Sequence, residues 1–233
     1  MSRLEIWGVE GIGEVRPGDD LAGIIAAAEP ALHDGDVVVV TQKVVSKAEG
    51  RLVPIDPDDP QAHRPVIEAE TVRALRRRGD LVISETRHGF VCANGGVDLS
   101  NVDRGWAALL PIDPDRSARR IRDALAARAG VRVAVIVSDT FGRPWRQGLT
   151  DVAIGCAGIA AVVNLRGTRD DRGRELAVTE VAVVDELAGA AELVMGKAAG
   201  IPVAVVRGVD GSWLRPGEVR GEIVRPAHED LFR

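Results

Sequence analysis

Mixed sheets covered by helices are the fold class this sequence predicts, and three observations predict it. Short runs of apolar, mostly β-branched residues recur at VVVV (37–40), VAVIV (133–137) and VAVV (203–206). Segments with helical spacing and helical punctuation stand between them. Each apolar run also ends abruptly, at Val40, Val137 and Val206, in a polar loop carrying Gly or Lys, and such strand ends are where open sheets build ligand sites.

From the N-terminus, LEIWGV (4–9) has strand composition and breaks into the Gly-punctuated loop EGIGEVRPGDD (10–20), whose Asp19 or Asp20 can cap a helix over LAGIIAAAEPAL (21–32). DGDVVVV (34–40) is a fully apolar strand, hence an interior one, and discharges into Thr41, Gln42, Lys43, Ser46 and Lys47. An irregular, Pro- and Asp-rich connection runs from Arg51 to Arg64, and the spacing then predicts a helix over VIEAETVRALRRR (66–78). LVISETRHGFVCANGG (81–96) reads as a hairpin around ETRHG, and its consecutive glycines allow backbone conformations closed to other residues. PIDPDRSARRIRDALAARAG (111–130) is a helix with Asp113 as cap, Pro114 in the first turn and Gly130 as its stop. It feeds the strand that ends at Val137, followed by a polar and cationic loop, SDTFGRPWRQG (138–148). GCAGIAAVVNL (155–165), RGTRDDRGREL (166–176) and the strand-like AVTEVAVV (177–184) lead to a helix over DELAGAAELVMGKA (185–198) and a last strand in IPVAVVRGVDG (201–211). Nothing in the chain reads as a linker, an internal repeat or a low-complexity tract, so residues 1–233 are taken as one domain.

Composition narrows the function. With 45% hydrophobic and 28% charged residues the chain is globular, and with 3% aromatics and no Tyr its core must rest on Val, Ile, Leu and Ala. A formal net charge of −5 leaves no basic excess to neutralise a nucleic-acid backbone; the RRR run (76–78) reads as a solvated helix face. Cys92 and Cys156 fit no metal or redox spacing and are expected as buried thiols. No charged-then-apolar leader and no run long enough to span a bilayer are present, which points to the cytoplasm and away from membranes.

The residues able to do chemistry cluster at strand ends. Asp98 and Asp139 lie near glycines at the ends of β-rich segments, and with Thr140 they offer hard oxygen ligands suited to Mg²⁺ or Mn²⁺. The plainer reading of each Asp alone is a turn or helix cap. Arg143 and Arg146 bracket Trp145; guanidinium forks recognise phosphate or carboxylate, whereas Trp145 reads as packing over a core edge. Glu10, Gly11, Ile12 and Gly13 could set backbone N–H groups around phosphate, although neither a P-loop nor a dinucleotide fingerprint is completed. Lys43 and Lys47 could neutralise a phosphate, solvated lysines being the commoner case. The four histidines form no ligand spacing, and no GxSxG elbow is present.

Six segments in this order, VEGIGEV, QKVVSKAEGR, NGGVDLSNV, LLPIDPDRSARRIR, VSDTFGRPWRQGLTDVAIGCAGI and GRELAVTEVAVVDELAGAAELVMGK, closely resemble the coenzyme F420-0:L-glutamate ligase family over nearly the whole chain. The resemblance implies an unusual α+β fold in two intimate subdomains and an intertwined homodimer. It implies a GTP-dependent ligase that uses Mg²⁺ or Mn²⁺, with K⁺ as an additional candidate, to join L-glutamate to the phospholactyl deazaflavin F420-0. By motif, Asp98, Asp139 and Thr140 correspond to metal positions. Glu10 to Gly13, Gln42, Lys47, Asn101 and, in the RGVDG loop, Gly208 correspond to nucleotide positions. Asp139, Arg143 and Arg146 are the catalytic candidates, with the arginines on anionic substrate. IVRPAHEDLFR (223–233) resembles the point where actinobacterial relatives pass into a nitroreductase-like domain. Two other functions stand beside this one: a metal-dependent nucleotide phosphatase or kinase with another acceptor, and a non-catalytic nucleotide-binding partner.

Overall fold

The computed structural model describes residues 3–231. Among the described residues the chain forms twelve strands and six α-helices. The first part runs β1 (Glu5–Gly8), α1 (Leu21–Ala28), β2 (Val37–Thr41), α2 (Gln42–Ala48), β3 (Leu52–Pro54), α3 (Arg64–Glu70), β4 (Thr71–Arg78), β5 (Leu81–Thr86), β6 (Val91–Ala93) and β7 (Trp106–Ala108). The second runs α4 (Pro114–Ala129), β8 (Ala134–Arg143), β9 (Arg146–Ala157), β10 (Val163–Asn164), β11 (Glu180–Val181), α5 (Val183–Met195), β12 (Val203–Arg207) and α6 (Val219–Glu222). The fold is α+β.

The core is built on a five-stranded sheet of order β1-β12-β2-β8-β9, in which only β2 and β8 are parallel. The apolar runs explain its centre: Val37 to Val40, Val135 to Val137 and Val203 to Val206 are fully buried, and each Val or Ile side chain among them contributes about 1.5–3 kcal/mol. α1 and α4 pack on each other, α4 also covers β8 and β9, and α5 lies against β9, β1 and β12. α4 is punctuated as its sequence demands, since the Asp113 side chain accepts from Arg116 N and Gly130 closes the helix at φ 70°. Asp20 caps α1 through Gly23 N, and the helix stops at Ala28, two residues before Pro30. Cys92 and Cys156 are buried free thiols. No helix among the described residues is long and apolar enough to cross a membrane.

Residues 52–108 leave this sheet and make smaller ones, β3 with β7 and β4-β5-β6. Here the helix expected over 66–78 is corrected: α3 ends at Glu70 and β4 begins at Thr71. Thr71 and Leu75 are the half-buried positions of β4, and residues four apart share a face in a strand as well as in a helix. The RRR run is solvated as expected, on a strand instead of a helix. A second correction concerns SDTFGRPWRQG, which is not a loop but the outer half of a long β8–β9 hairpin turning at Pro144 and Trp145. Trp145 is 81% exposed with φ 58°, so it does not cover a core edge. A third is that only Glu180–Val181 of the strand-like 177–184 segment pairs; α5 already starts at Val183, two residues early, and stops at Met195 before Gly196. Residues 232 and 233, the last of IVRPAHEDLFR, and residues 1 and 2 lie outside the described residues.

Candidate functional site

Parallel pairing of β2 with β8 brings the ends of two apolar runs side by side, with Thr41 opposite Ser138. β2 leads directly into α2, and Ser138 leads into Asp139, so the lysines of α2 and the Asp139 carboxylate share one end of the sheet. The loop after β1 joins them: Val9 N donates to Val203 O, and Lys47, a buried residue, pairs with Glu14. Gly11 takes φ 79°, and a side chain at Gly11 or Gly13 would meet nothing within 4 Å, which leaves this backbone open to approach. Glu10 is exposed and Ile12 is buried beneath the turn.

Asp98 enters from the 52–108 region, tied to β7 by reciprocal backbone bonds with Ala108. Lys43 Nζ lies 2.8 Å from Asp98 Oδ2 and 2.8 Å from Ser100 Oγ, and Ser100 N donates to Asp98 Oδ1 at 2.7 Å. Desolvation works to raise the Asp98 pKa, but these bonds outweigh it and leave the carboxyl below its ordinary range. Asp139 has the opposite balance. Desolvation first, and then the charges of Asp98 and Asp151, push it up to about 7 against the opposing Thr140 N–H and Lys43 charge.

Alternation along β8 separates neighbours. Asp139 and Phe141 face one way, towards the small sheets, where the Phe141 and Phe90 rings meet at 6.2 Å. Ser138 and Thr140 face the other way, and Thr140 lies directly across from Asp151 of β9. Thr140 Oγ1 donates to Asp151 Oδ1 at 2.6 Å and accepts from Lys197 Nζ, while Ser138 Oγ donates to Asp151 Oδ2 at 3.1 Å. Lys197 also pairs with Asp151 at 2.8 Å and with Glu192 at 3.1 Å.

The expected residues are therefore sorted by the fold. Asp98, Asp139, Lys47 and the Glu10–Gly13 loop converge on one sheet end, and Asn101 stands exposed at φ 52° three residues beyond Asp98. Gln42 is buried with its Oε1 accepting from Ser46 Oγ at 2.9 Å. The Thr140 hydroxyl is turned away from the Asp139 face. Arg143 and Arg146 pair at the exposed hairpin tip, and the four residue steps of extended strand from Asp139 to Arg143 span about 13 Å. Gly208 is not brought to the others. β12 runs antiparallel to β2, so its end lies at the opposite edge of the sheet, and the Gly208 requirement is local: φ 94°, with an added Cβ 2.1 Å from Arg3 O. Sequence reasoning missed Asp151, Lys197 and Glu192. A lone acidic residue inside the apolar run LTDVAIGCA was the one signal for the first.

Among the described residues no group of three or more His, Cys, Asp or Glu side chains stands ready to hold a metal ion. The pair Asp98 and Asp139 nevertheless fits a hard divalent cation, because magnesium sites take one or two carboxylates with phosphate and water completing the shell. An Asp139 carboxyl raised by desolvation and like charge is one that a cation relieves.

A family model described as F420-0:gamma-glutamyl ligase matches residues 11–208. The chain is 43% identical over 249 aligned positions to the coenzyme F420:L-glutamate ligase of Methanothermobacter thermautotrophicus, covering 99% of each chain. It is 44% identical over 238 positions to the one from Methanopyrus kandleri, covering 94% of each. Against that of Methanocaldococcus jannaschii the identity is 37% over 248 positions, covering 99% of this chain and 97% of the relative. With the match spanning both the Glu10–Gly13 loop side and the Asp98–Asp139 side of the site, the chain belongs to the F420-0:gamma-glutamyl ligase family, a family of enzymes.

Proposed function

We propose that the protein joins L-glutamate to F420-0 in coenzyme F420 biosynthesis, with GTP converted to GDP and phosphate through an acyl phosphate of the F420-0 carboxylate. The observation that carries the reading is the convergence at one sheet end of an under-compensated carboxylate, Asp139, with Asp98, two α2 lysines and open glycine backbone. Asp98 and Asp139 are the residues that would hold Mg²⁺ or Mn²⁺, with K⁺ a further candidate; when bound, the cation neutralises the triphosphate and the charge of the transferring phosphoryl group.

The chain's own residues bind and orient. Backbone N–H groups of Glu10 to Gly13 receive phosphate oxygens, and Lys47 exchanges its exposed Glu14 partner for a phosphate. Asn101 stands on the same side for the nucleotide. Gln42 supports α2 from within, through Ser46, and so keeps Lys43 and Lys47 aimed. Arg143 and Arg146, displaced along the hairpin, are assigned to anionic parts of the substrate away from the reacting carboxylate. The F420-0 carboxylate, held in line, displaces GDP from the γ-phosphorus, and the glutamate amine then displaces phosphate. A homodimer is part of the same reading, to be checked by light scattering.

One incubation with GTP, Mg²⁺ or Mn²⁺, L-glutamate and F420-0, read by mass spectrometry, tests it. The expected product carries the mass of added glutamate, and nucleotide turnover requires both acceptors. GTP hydrolysis indifferent to F420-0 and glutamate would instead support the phosphatase reading.

A further inference from the structure

The chemistry proposed for Asp139 needs its carboxylate held forward, and the two faces of β8 show what holds it. Ser138 and Thr140, the residues on either side of Asp139, both send their hydroxyls rearward, to the two oxygens of one carboxylate, Asp151. Asp151 is 2% exposed. The direction of its bond with Thr140 is fixed by chemistry: an ammonium has only protons to give, so Lys197 donates to Thr140 Oγ1 and the single hydroxyl proton goes to Asp151. Lys197 in turn balances the buried charge, shared with Glu192.

We propose that Asp151 is a positioning residue for Asp139: by binding the side chains of both its neighbours from the rear, it fixes the strand backbone at Asp139 and with it the direction of the front carboxylate. The proposal rests on the reading of Asp139 as a cation-holding group. It differs from a purely structural role for the Asp151–Lys197 pair, which changes stability and leaves cation affinity alone. The geometry argues for positioning, because both hydroxyl bonds bracket one residue, Asp139, instead of spreading along the strand.

Binding of Mn²⁺ alone to the whole chain, followed by electron paramagnetic resonance, separates the possibilities. Asp151→Asn keeps the shape and one acceptor, and is expected to weaken Mn²⁺ binding about tenfold, as loss of a group orienting a ligand does. Ser138→Ala removes only one arm and is expected to weaken binding about threefold, roughly half that effect in free energy; it decides the matter if the Asp151 variant does not fold. In an Asp139→Asn background, Asp151→Asn should add no further loss, because its effect passes through Asp139. Folded Asp151→Asn and Ser138→Ala proteins with native Mn²⁺ affinity, or an additive loss in the double variant, overturn the proposal. If Asp139→Asn and Asp98→Asn also bind Mn²⁺ like the native chain, the cation reading itself falls, a result distinct from failure of the Asp151 variants alone.

Discussion

Two carboxylates stand on adjoining strands, one at the front of β8 and one behind it, and the protein treats them in opposite ways. Asp151, at the rear, is fully buried, yet it receives two hydroxyls and an ammonium. Asp139, at the front, is half-buried, feels two other carboxylates, and is left with its pKa pushed up to about 7. That contrast shows where to look for function. A buried charge with every partner in place acts by fixing its neighbours, whereas a carboxylate the fold leaves under-compensated marks where a ligand's charge enters.

Neutralising each carboxylate in turn is the most forceful challenge to this contrast. Asp139→Asn should lower ligation by roughly 10²–10³-fold, the scale of losing one electrostatic group from a preorganised site, while urea unfolding shows the fold intact. Unchanged turnover at saturating metal would remove Asp139 from the chemistry. Asp151→Asn should show the reverse emphasis in stability, a loss on the order of 3 kcal/mol for weakening the charged hydrogen bonds of a buried carboxylate, measured by the same urea titration. Equal stability of the two variants would erase the distinction between front and rear.

A pH series probes the front carboxylate alone. Between the ordinary carboxylate range near 4 and about 7, the folded protein keeps a proton on Asp139 that the unfolded chain has released. The contribution of this group to stability is therefore full below that window and is lost as pH rises through it. In chelator, the native chain should weaken from pH 5 to pH 8 relative to Asp139→Asn; parallel pH curves for the two would contradict the raised pKa. The smallest effect is expected at Lys47, whose replacement by Ala should weaken GTP binding about tenfold, the scale of one charge-assisted bond, and leave the apparent affinity for F420-0 unchanged. An effect on F420-0 alone would reassign the residue.

The interior strands and α4 were legible because their signals are local: unbroken Val runs, and Asp113, Pro114 and Gly130 at fixed helical positions. The spacing of Thr71 and Leu75 did not separate helix from strand at β4, because residues four apart share a face in both. The site was legible in its parts, since Asp98, Asp139, Lys47 and Glu10 to Gly13 carry polar chemistry at strand ends. Their sorting was not. Which strand ends coincide depends on parallel or antiparallel pairing, and this is what separates Gly208 from Lys47. Which face a residue takes depends on register, and this is what sends Asp139 forward, Thr140 rearward, and Lys197 to a carboxylate 46 residues away in sequence.

Phosphoryl transfer to the substrate carboxylate beside Asp139 is the central claim, and oxygen transfer tests it directly. F420-0 labelled with ¹⁸O in its carboxylate is incubated with GTP, divalent metal, L-glutamate and the protein. Displacement at the γ-phosphorus makes one labelled oxygen the bridge of an acyl phosphate, and amine attack expels it with phosphate, so label should appear in inorganic phosphate in step with amide. Phosphate free of substrate oxygen while amide accumulates, or label found on a nucleotide monophosphate, would contradict it.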